Sequence, residues 1–148
     1  MTVYLSLGSN IEPEKNLPAC VEILKIRFRV LKVSSIYETD PVGPAGNQKF
    51  CNMAVAVETG LDTQTLSRQL REIEAKLGRK RAGKDKFAPR PIDIDTVPTP
   101  GYTDHFFVMV PLAEIAPEER DPVSRKTFRE IAKKWENSAG WRKIESKS

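Results

Sequence analysis

The residues best suited to chemistry lie in the run Pro89-Arg90-Pro91-Ile92-Asp93-Ile94-Asp95. In a β-strand, residues i and i+2 face the same side, so Asp93 and Asp95 present neighbouring carboxylates while Ile92 and Ile94 face the core. Two like charges at that spacing repel, and the pair is stable mainly with a cation between them. Mg²⁺ is typically held by one or two carboxylates together with substrate phosphates and water. The alternative is an exposed strand end whose aspartates meet Arg90 or solvent, and D-x-D by itself does not separate the two. Directly upstream, Lys76, Arg79, Lys80, Arg81, Lys84, Lys86 and Arg90 form a basic run in which Gly78 and Gly83 permit a mobile loop. Such a run is ordinarily a solvated surface. This one leads into the carboxylate pair, so cations able to clamp a polyphosphate adjoin a site able to hold its Mg²⁺. Phosphoryl-type transfer needs that conjunction, because its catalysis is mostly positioning and charge neutralisation. The sequence contains neither a Walker A motif nor G-x-G-x-x-G, which argues against a P-loop or Rossmann site.

A third constellation runs from Tyr37-Glu38-Thr39-Asp40-Pro41-Val42-Gly43-Pro44 to Gln48, Phe50 and Asn52. Its Pro and Gly residues define a loop with exposed backbone donors and acceptors. Asn52 offers a side-chain donor and acceptor suited to a flat heterocycle. A plain connection between two strands explains the same spacing.

Elements must hold these groups in place. Val3, Leu5 and Leu7 alternate with Tyr4 and Ser6, predicting a first strand that stops at the turn tripeptide Gly8-Ser9-Asn10. Leu17, Cys20, Val21, Leu24 and Phe28 recur at helical spacing, and Pro13 with Glu14 suits a first turn. Residues 30–37 and 50–57 predict the second and third strands. Leu66, Leu70, Ile73 and Leu77 mark a second helix, with Asp62 or Thr63 as its cap and Gly78 as its stop. Residues 92–97 and 106–110 read as further strands. Ser124 could cap a last helix carrying Phe128, Ile131, Ala132 and Trp135. The order β-α-β-β-α-β with additions is that of a ferredoxin-like α+β fold, here with added strands and a C-terminal helix. Residues 1–136 form a single domain on this reading, and 137–148 a polar tail that frays.

Composition agrees with one ordinary domain: 148 residues, 39% of them apolar and 30% charged. A chain of this length buries roughly 68–70% of its unfolded surface and needs no disulfide or structural metal to hold a core. The net charge of +4 permits an anionic partner without requiring one. Cys20 and Cys51 are too few and too far apart for a disulfide framework or a zinc cluster, and read as buried thiols in a reducing compartment. With no basic leader and no run of membrane-spanning length, the expected location is the cytoplasm, with no membrane contact.

Taken together, the motifs resemble the 6-hydroxymethyl-7,8-dihydropterin pyrophosphokinase family. The likeness runs through Tyr4-Leu5-Ser6-Leu7-Gly8-Ser9-Asn10, Ser34-Ser35-Ile36-Tyr37-Glu38-Thr39, Gly43-Pro44, Phe50-Cys51-Asn52 and Ile73-Glu74 ahead of Gly78-Arg79. It continues through the D-x-D run to Val110-Pro111-Leu112-Ala113-Glu114-Ile115-Ala116-Pro117. The resemblance implies a ferredoxin-like fold that transfers pyrophosphate from ATP to the pterin's hydroxymethyl group and releases AMP. Asp93 and Asp95 would hold two Mg²⁺ ions bridging the ATP phosphates and the attacking hydroxyl. Arg79 and Arg90 would be the catalytic arginines of the mobile loop, with Arg81, Glu74 and again Arg90 near the nucleotide. Thr39 and Val42 would offer backbone groups to the pterin and Asn52 its side chain, while Phe50 and Phe107 would line or sandwich the ring. The resemblance also implies a monomer whose partners are these two small-molecule substrates and no nucleic acid. Closure of residues 80–88 would exclude water.

The sequence departs from the family after Asp95. The family usually continues through a hydrophobic strand, a hairpin and a Pro-His segment to an arginine, all helping to hold ATP. Here Thr96-Val97-Pro98-Thr99-Pro100-Gly101-Tyr102-Thr103-Asp104-His105 is shorter, and His105 stands about where that arginine would be. It either replaces a nucleotide contact or is a surface histidine without a role. Smaller departures are Phe50 for Tyr, Phe87 for Trp and Asp40 for Pro. Two other readings stay open: a pterin-binding homologue with weakened turnover, and a basic RNA-binding module of the same fold class. The latter would carry paired aromatics on the open sheet face, and the sequence shows no such pair.

Overall fold

The computed structural model describes residues 1–39, 50–78, 91–138 and 140–144. Arg79, Arg81, Arg90, Val42 and the expected mobile segment 80–88 lie outside them. Among the described residues six strands form one antiparallel sheet: β1 Thr2–Ser9, β2 Arg29–Val33, β3 Ile36–Thr39, β4 Phe50–Glu58, β5 Asp93–Val97 and β6 Trp141–Ile144. Their order is β5-β1-β4-β3-β6, with β2 pairing the far half of β4. The α-helices among the described residues are α1 Pro13–Arg27, α2 Thr63–Lys76, α3 Phe106–Ile115 and α4 Phe128–Ala132. The first five strands with α1 and α2 form the expected split βαβ arrangement, with β1 and β4 at its centre.

The central strand β4 explains how the sheet divides its two faces. Cys51, Met53, Val55 and Val57 point to one side and pack with Leu5, Leu7 and Ile94 against Leu17, Cys20 and Leu24 of α1 and Leu66, Leu70 and Ile73 of α2. Ala54 and Ala56 point to the other side, where their small size admits α3 and α4 through Val108, Met109, Leu112, Ile115, Phe128 and Ile131. Both cysteines are buried and neither forms a disulfide, as expected. Burial, and secondarily the nearby Glu74 charge, pushes the Cys20 thiol up to about 12.

The caps show why the helices begin and end where they do. Pro13 opens α1. The Asp62 carboxylate accepts the Thr65 N–H at 2.7 Å to start α2, and Gly78 beyond its end adopts φ +95°, which costs glycine little. β1 runs on to Ser9, so Gly8 belongs to the strand and not to a turn. The expected second strand is two, interrupted at Ser34-Ser35. There Ser34 Oγ accepts the Ala54 N–H at 2.8 Å and stands in for a ladder carbonyl.

Three further expectations fail. Residues 106–110 are helical: the apolar run Phe106–Ile115 has no strand alternation, and Val108, Met109, Leu112 and Ile115 gather on its buried side at helical spacing. Ser124 does not cap α4. Thr127 does, in a capping box with Glu130, and the helix stops at Ala132 before a 3-10 turn that ends at Trp135. The chain beyond Asn137 does not simply fray, because Trp141–Ile144 pair residue for residue with β3. No helix among the described residues is long and apolar enough to cross a membrane.

Candidate active site

Strand register assembles the site. Gly8 on β1 lies opposite Asp93 on β5 and Asn52 on β4, and Asn52 lies opposite Tyr37 on β3. Residues in register share a face, so Asp93, Gly8, Asn52 and Tyr37 form one row across the sheet. Ser6, Asp95 and Ala54 form the next row. This is the face opposite α1 and α2: Val97, two residues beyond Asp95, packs with α3 and α4. Neighbouring strands stand about 4.8 Å apart, so roughly 10 Å separate the backbones carrying Asp93 and Asn52. Between them, Gly8 contributes no side chain.

Gly8 is required there by crowding and not by its dihedral angles. A Cβ at this position would lie 2.8 Å from Phe50 Cε1 and 2.9 Å from Asn52 Oδ1. The missing side chain lets the Phe50 ring lean across β1 and lets the Asn52 amide lie against the strand backbone. Asn52 and Thr39 are buried, and the Thr39 hydroxyl donates to the Phe50 carbonyl at 3.1 Å, fixing the β3–β4 end where the third constellation begins. Asp93 is half-buried and Asp95 exposed. Their carboxylate oxygens are hard donors on one edge strand, the donor set Mg²⁺ accepts. Among the described residues no cluster of three His, Cys, Asp or Glu side chains forms a closed metal cage.

Glu74, which the resemblance sets near the nucleotide, also supports the strand that carries the carboxylates. It is 1% exposed, and its Oε2 accepts the Ile94 N–H at 2.7 Å. Ile94 sits between the two aspartates on the sheet's outer strand, so α2 holds the backbone that carries the carboxylates. His105 and Phe107 come together at the start of α3. Their rings stack with centroids 5.0 Å apart and planes 22° from parallel, and both are exposed. The structure thus joins Asp93, Asp95, Gly8, Asn52 and Phe50 on one sheet face, with Thr39 at its border. A cleft of about 450 Å³ lies elsewhere, lined by Arg27, Arg29, Glu58 and Gln69 at the far end of β4, and contains none of these groups.

From sequence alone Tyr37 enters only as the start of the third constellation and Glu114 only within the Val110–Pro117 motif, neither with a role of its own at the site. The Tyr37 hydroxyl donates to Glu114 Oε1 at 2.6 Å, and the same carboxylate accepts the Ser35 N–H at 3.0 Å and its hydroxyl at 3.1 Å. Burial, reinforced by that carboxylate, pushes the Tyr37 hydroxyl well above the usual phenol range. One glutamate of α3 thereby clasps the start of β3. The available signal was the i, i+2 relation of Tyr37 to Thr39, which becomes informative only once the strand partner is known.

Residues 4–117 match the family model of 7,8-dihydro-6-hydroxymethylpterin-pyrophosphokinase. The chain belongs to this family. A 2-amino-4-hydroxy-6-hydroxymethyldihydropteridine pyrophosphokinase of Bacillus subtilis is 37% identical over 93% of this chain and 92% of its own length. An enzyme of the same name from Aquifex aeolicus is 31% identical over 88% of this chain and 89% of its own. The fold matches that of Plasmodium falciparum HPPK-DHPS, crystallised with pteroate, at a TM-score of 0.68. That match has 13% identity and covers 90% of this chain and 42% of the other. Every residue of the glycine-floored rows lies inside the span shared with the pyrophosphokinase family.

Proposed function

We propose that this chain transfers a pyrophosphoryl group from ATP to the hydroxyl of 6-hydroxymethyl-7,8-dihydropterin in folate biosynthesis, acting as a cytoplasmic monomer. The observation that carries the reading is the cross-strand row with carboxylates at one end, a buried amide at the other and a bare glycine between. A flat bicyclic heterocycle spans such a strip. Its polar edge meets the Asn52 amide and the backbone at Thr39 and Val42, its face meets Phe50 and Phe107, and its hydroxymethyl group points toward β5.

In the reaction the hydroxyl oxygen bonds to the β-phosphorus of ATP. The bond from that phosphorus to the α–β bridging oxygen breaks, AMP leaves with that oxygen, and the hydroxyl proton is released. Asp93 and Asp95 would hold two Mg²⁺ ions, which when bound offset phosphate charge and ease loss of the hydroxyl proton. Arg79, Arg81 and Arg90 precede the carboxylates and would grip the phosphates as bidentate donors. Glu74 belongs to the nucleotide side through the strand it holds. His105 would meet the nucleotide next to Phe107, so donor and acceptor substrates meet at the start of α3.

Asp95 is exposed, so Asp95→Ala should leave the fold intact and abolish pterin-dependent AMP release from ATP. Full activity in that variant overturns the assignment of the carboxylates. Pterin binding without AMP release by the unmodified chain would instead establish a binder.

A further inference from the structure

The family match ends at residue 117, and among the described strands β6 alone lies wholly beyond it. This strand nonetheless borders the site. β3 is held to β4 by three residue pairs, Tyr37 to Thr39 against Asn52 to Phe50, and to β6 by four, from Ile36–Ile144 to Thr39–Trp141. Register places Trp141 in a row with Thr39 and Phe50, on the same face as Asn52 and Gly8. The Trp141 ring lies 5.7 Å from the Tyr37 ring, tilted by 54°, and its indole N–H donates to the Trp135 carbonyl at 3.2 Å. Arg142 pairs with Glu38 on the opposite face.

Tyr37 is therefore held at two points, by Glu114 at its hydroxyl and by Trp141 at its ring, while its register partner is Asn52. Directly opposite side chains on one face of a strand pair pack against each other, so the rotamer of Tyr37 bears on that of Asn52. We propose that β6 is a working part of the pterin site, with Trp141 a positioning residue that fixes Tyr37 against Asn52 and so sets the amide that reads the heterocycle. The proposal rests on the reading of Asn52 as a pterin contact. Trp141 acts through Tyr37 and is assigned no contact with either substrate, so its removal should loosen recognition of the pterin while sparing that of ATP.

The test is steady-state kinetics of AMP release with each substrate varied, at a temperature where melting curves show every variant folded. Trp141→Ala should raise the pterin KM about tenfold, equivalent to about 1.4 kcal/mol, with the ATP KM unchanged. Trp141→Phe, which keeps a ring against Tyr37, should restore most of the loss. Trp141→Leu keeps apolar bulk without the ring and is read in the same way if the alanine variant does not fold. An unchanged pterin KM overturns the proposal. So does a parallel rise in both KM values that phenylalanine fails to rescue, since β6 would then serve only stability. Asn52→Ala separates the two readings: if it leaves the pterin KM unchanged, the pterin assignment itself fails. If it raises that KM while Trp141→Ala does not, the positioning role alone fails.

Discussion

Replacing Glu74 by alanine separates two roles for that carboxylate. It is 1% exposed and accepts the N–H of Ile94, itself only 5% exposed, at 2.7 Å. With its N–H turned to Glu74 and no further strand beyond β5 among the described residues, Ile94 has no ladder acceptor on that side, and water has little access to it. Glu74→Ala thus leaves a buried donor unpaired, at about 1–3 kcal/mol. The one lost methylene adds about 0.8 kcal/mol. The desolvation cost recovered with the removed charge offsets part of this, leaving an expected net loss of about 2 kcal/mol. A domain of this kind has roughly 5–15 kcal/mol to lose, so the variant stays folded. Activity should fall with the stability, because the loosened backbone lies between Asp93 and Asp95. Glu74→Gln keeps an acceptor oxygen, and its loss should be limited to about 1 kcal/mol, the difference between a charge-assisted and a neutral bond. Urea unfolding would give the stability and AMP release the activity. If Glu74→Ala stays within about 0.5 kcal/mol of the parent while the ATP KM rises, the carboxylate serves the nucleotide directly and the strand-clamp reasoning is wrong.

Two more outcomes follow from the geometry. Gly8→Ala should displace Phe50 and Asn52, whose atoms would stand 2.8 and 2.9 Å from the new Cβ. The expected cost is about 1–3 kcal/mol of stability together with a raised pterin KM, and an unchanged KM would show that neither group touches the pterin. The second outcome concerns alkaline pH. Burial, then the hydrogen bond to Glu119, pushes the Tyr4 hydroxyl up to about 12. Tyr37 and Tyr102 are raised by burial and by Glu114 and Asp121 respectively. Since the folded values lie above the unfolded value of about 10, these groups contribute their full stability below about pH 10 and lose it as pH rises through the folded values. Urea midpoints should therefore fall steeply above about pH 10, and less steeply in Tyr4→Phe; identical slopes would refute the role of Tyr4.

How much of this was legible in the sequence depends on the range of the signal. Period-2 alternation placed β1, and Ile92 and Ile94 between acidic neighbours correctly turned both aspartates away from the α1–α2 core. Asp62, Pro13 and Gly78 marked helix ends because capping is local chemistry. Residues 106–110 misled because a five-residue apolar window is too short to choose between strand and helix; the helical spacing of Val108, Met109, Leu112 and Ile115 shows only over the whole run. β6 was missed because its four residues, Trp141-Arg142-Lys143-Ile144, follow a polar stretch and become a strand only by pairing with β3, more than 100 residues earlier. The register that sets Asp93, Gly8 and Asn52 side by side is likewise a long-range property, and no spacing within the chain encodes it.

The same register explains why catalysis can occupy a sheet whose other face is filled by core. Along β4 the site-face residues run Phe50, Asn52, Ala54 and Ala56, and along β1 they run Gly8, Ser6 and Tyr4. The small residues Ala54 and Ala56 bring α3 and α4 close at one end, while Gly8 beside Asn52 keeps the other end low. A helix covers the sheet where alanines permit its approach, and the carboxylates stand where that cover stops. Bulk added at Gly8 and bulk added at Ala54 should therefore fail differently. The first should impair substrate binding before stability, whereas the second should push α3 away, straining the Glu114–Tyr37 clasp and lowering stability before the substrate site is reached.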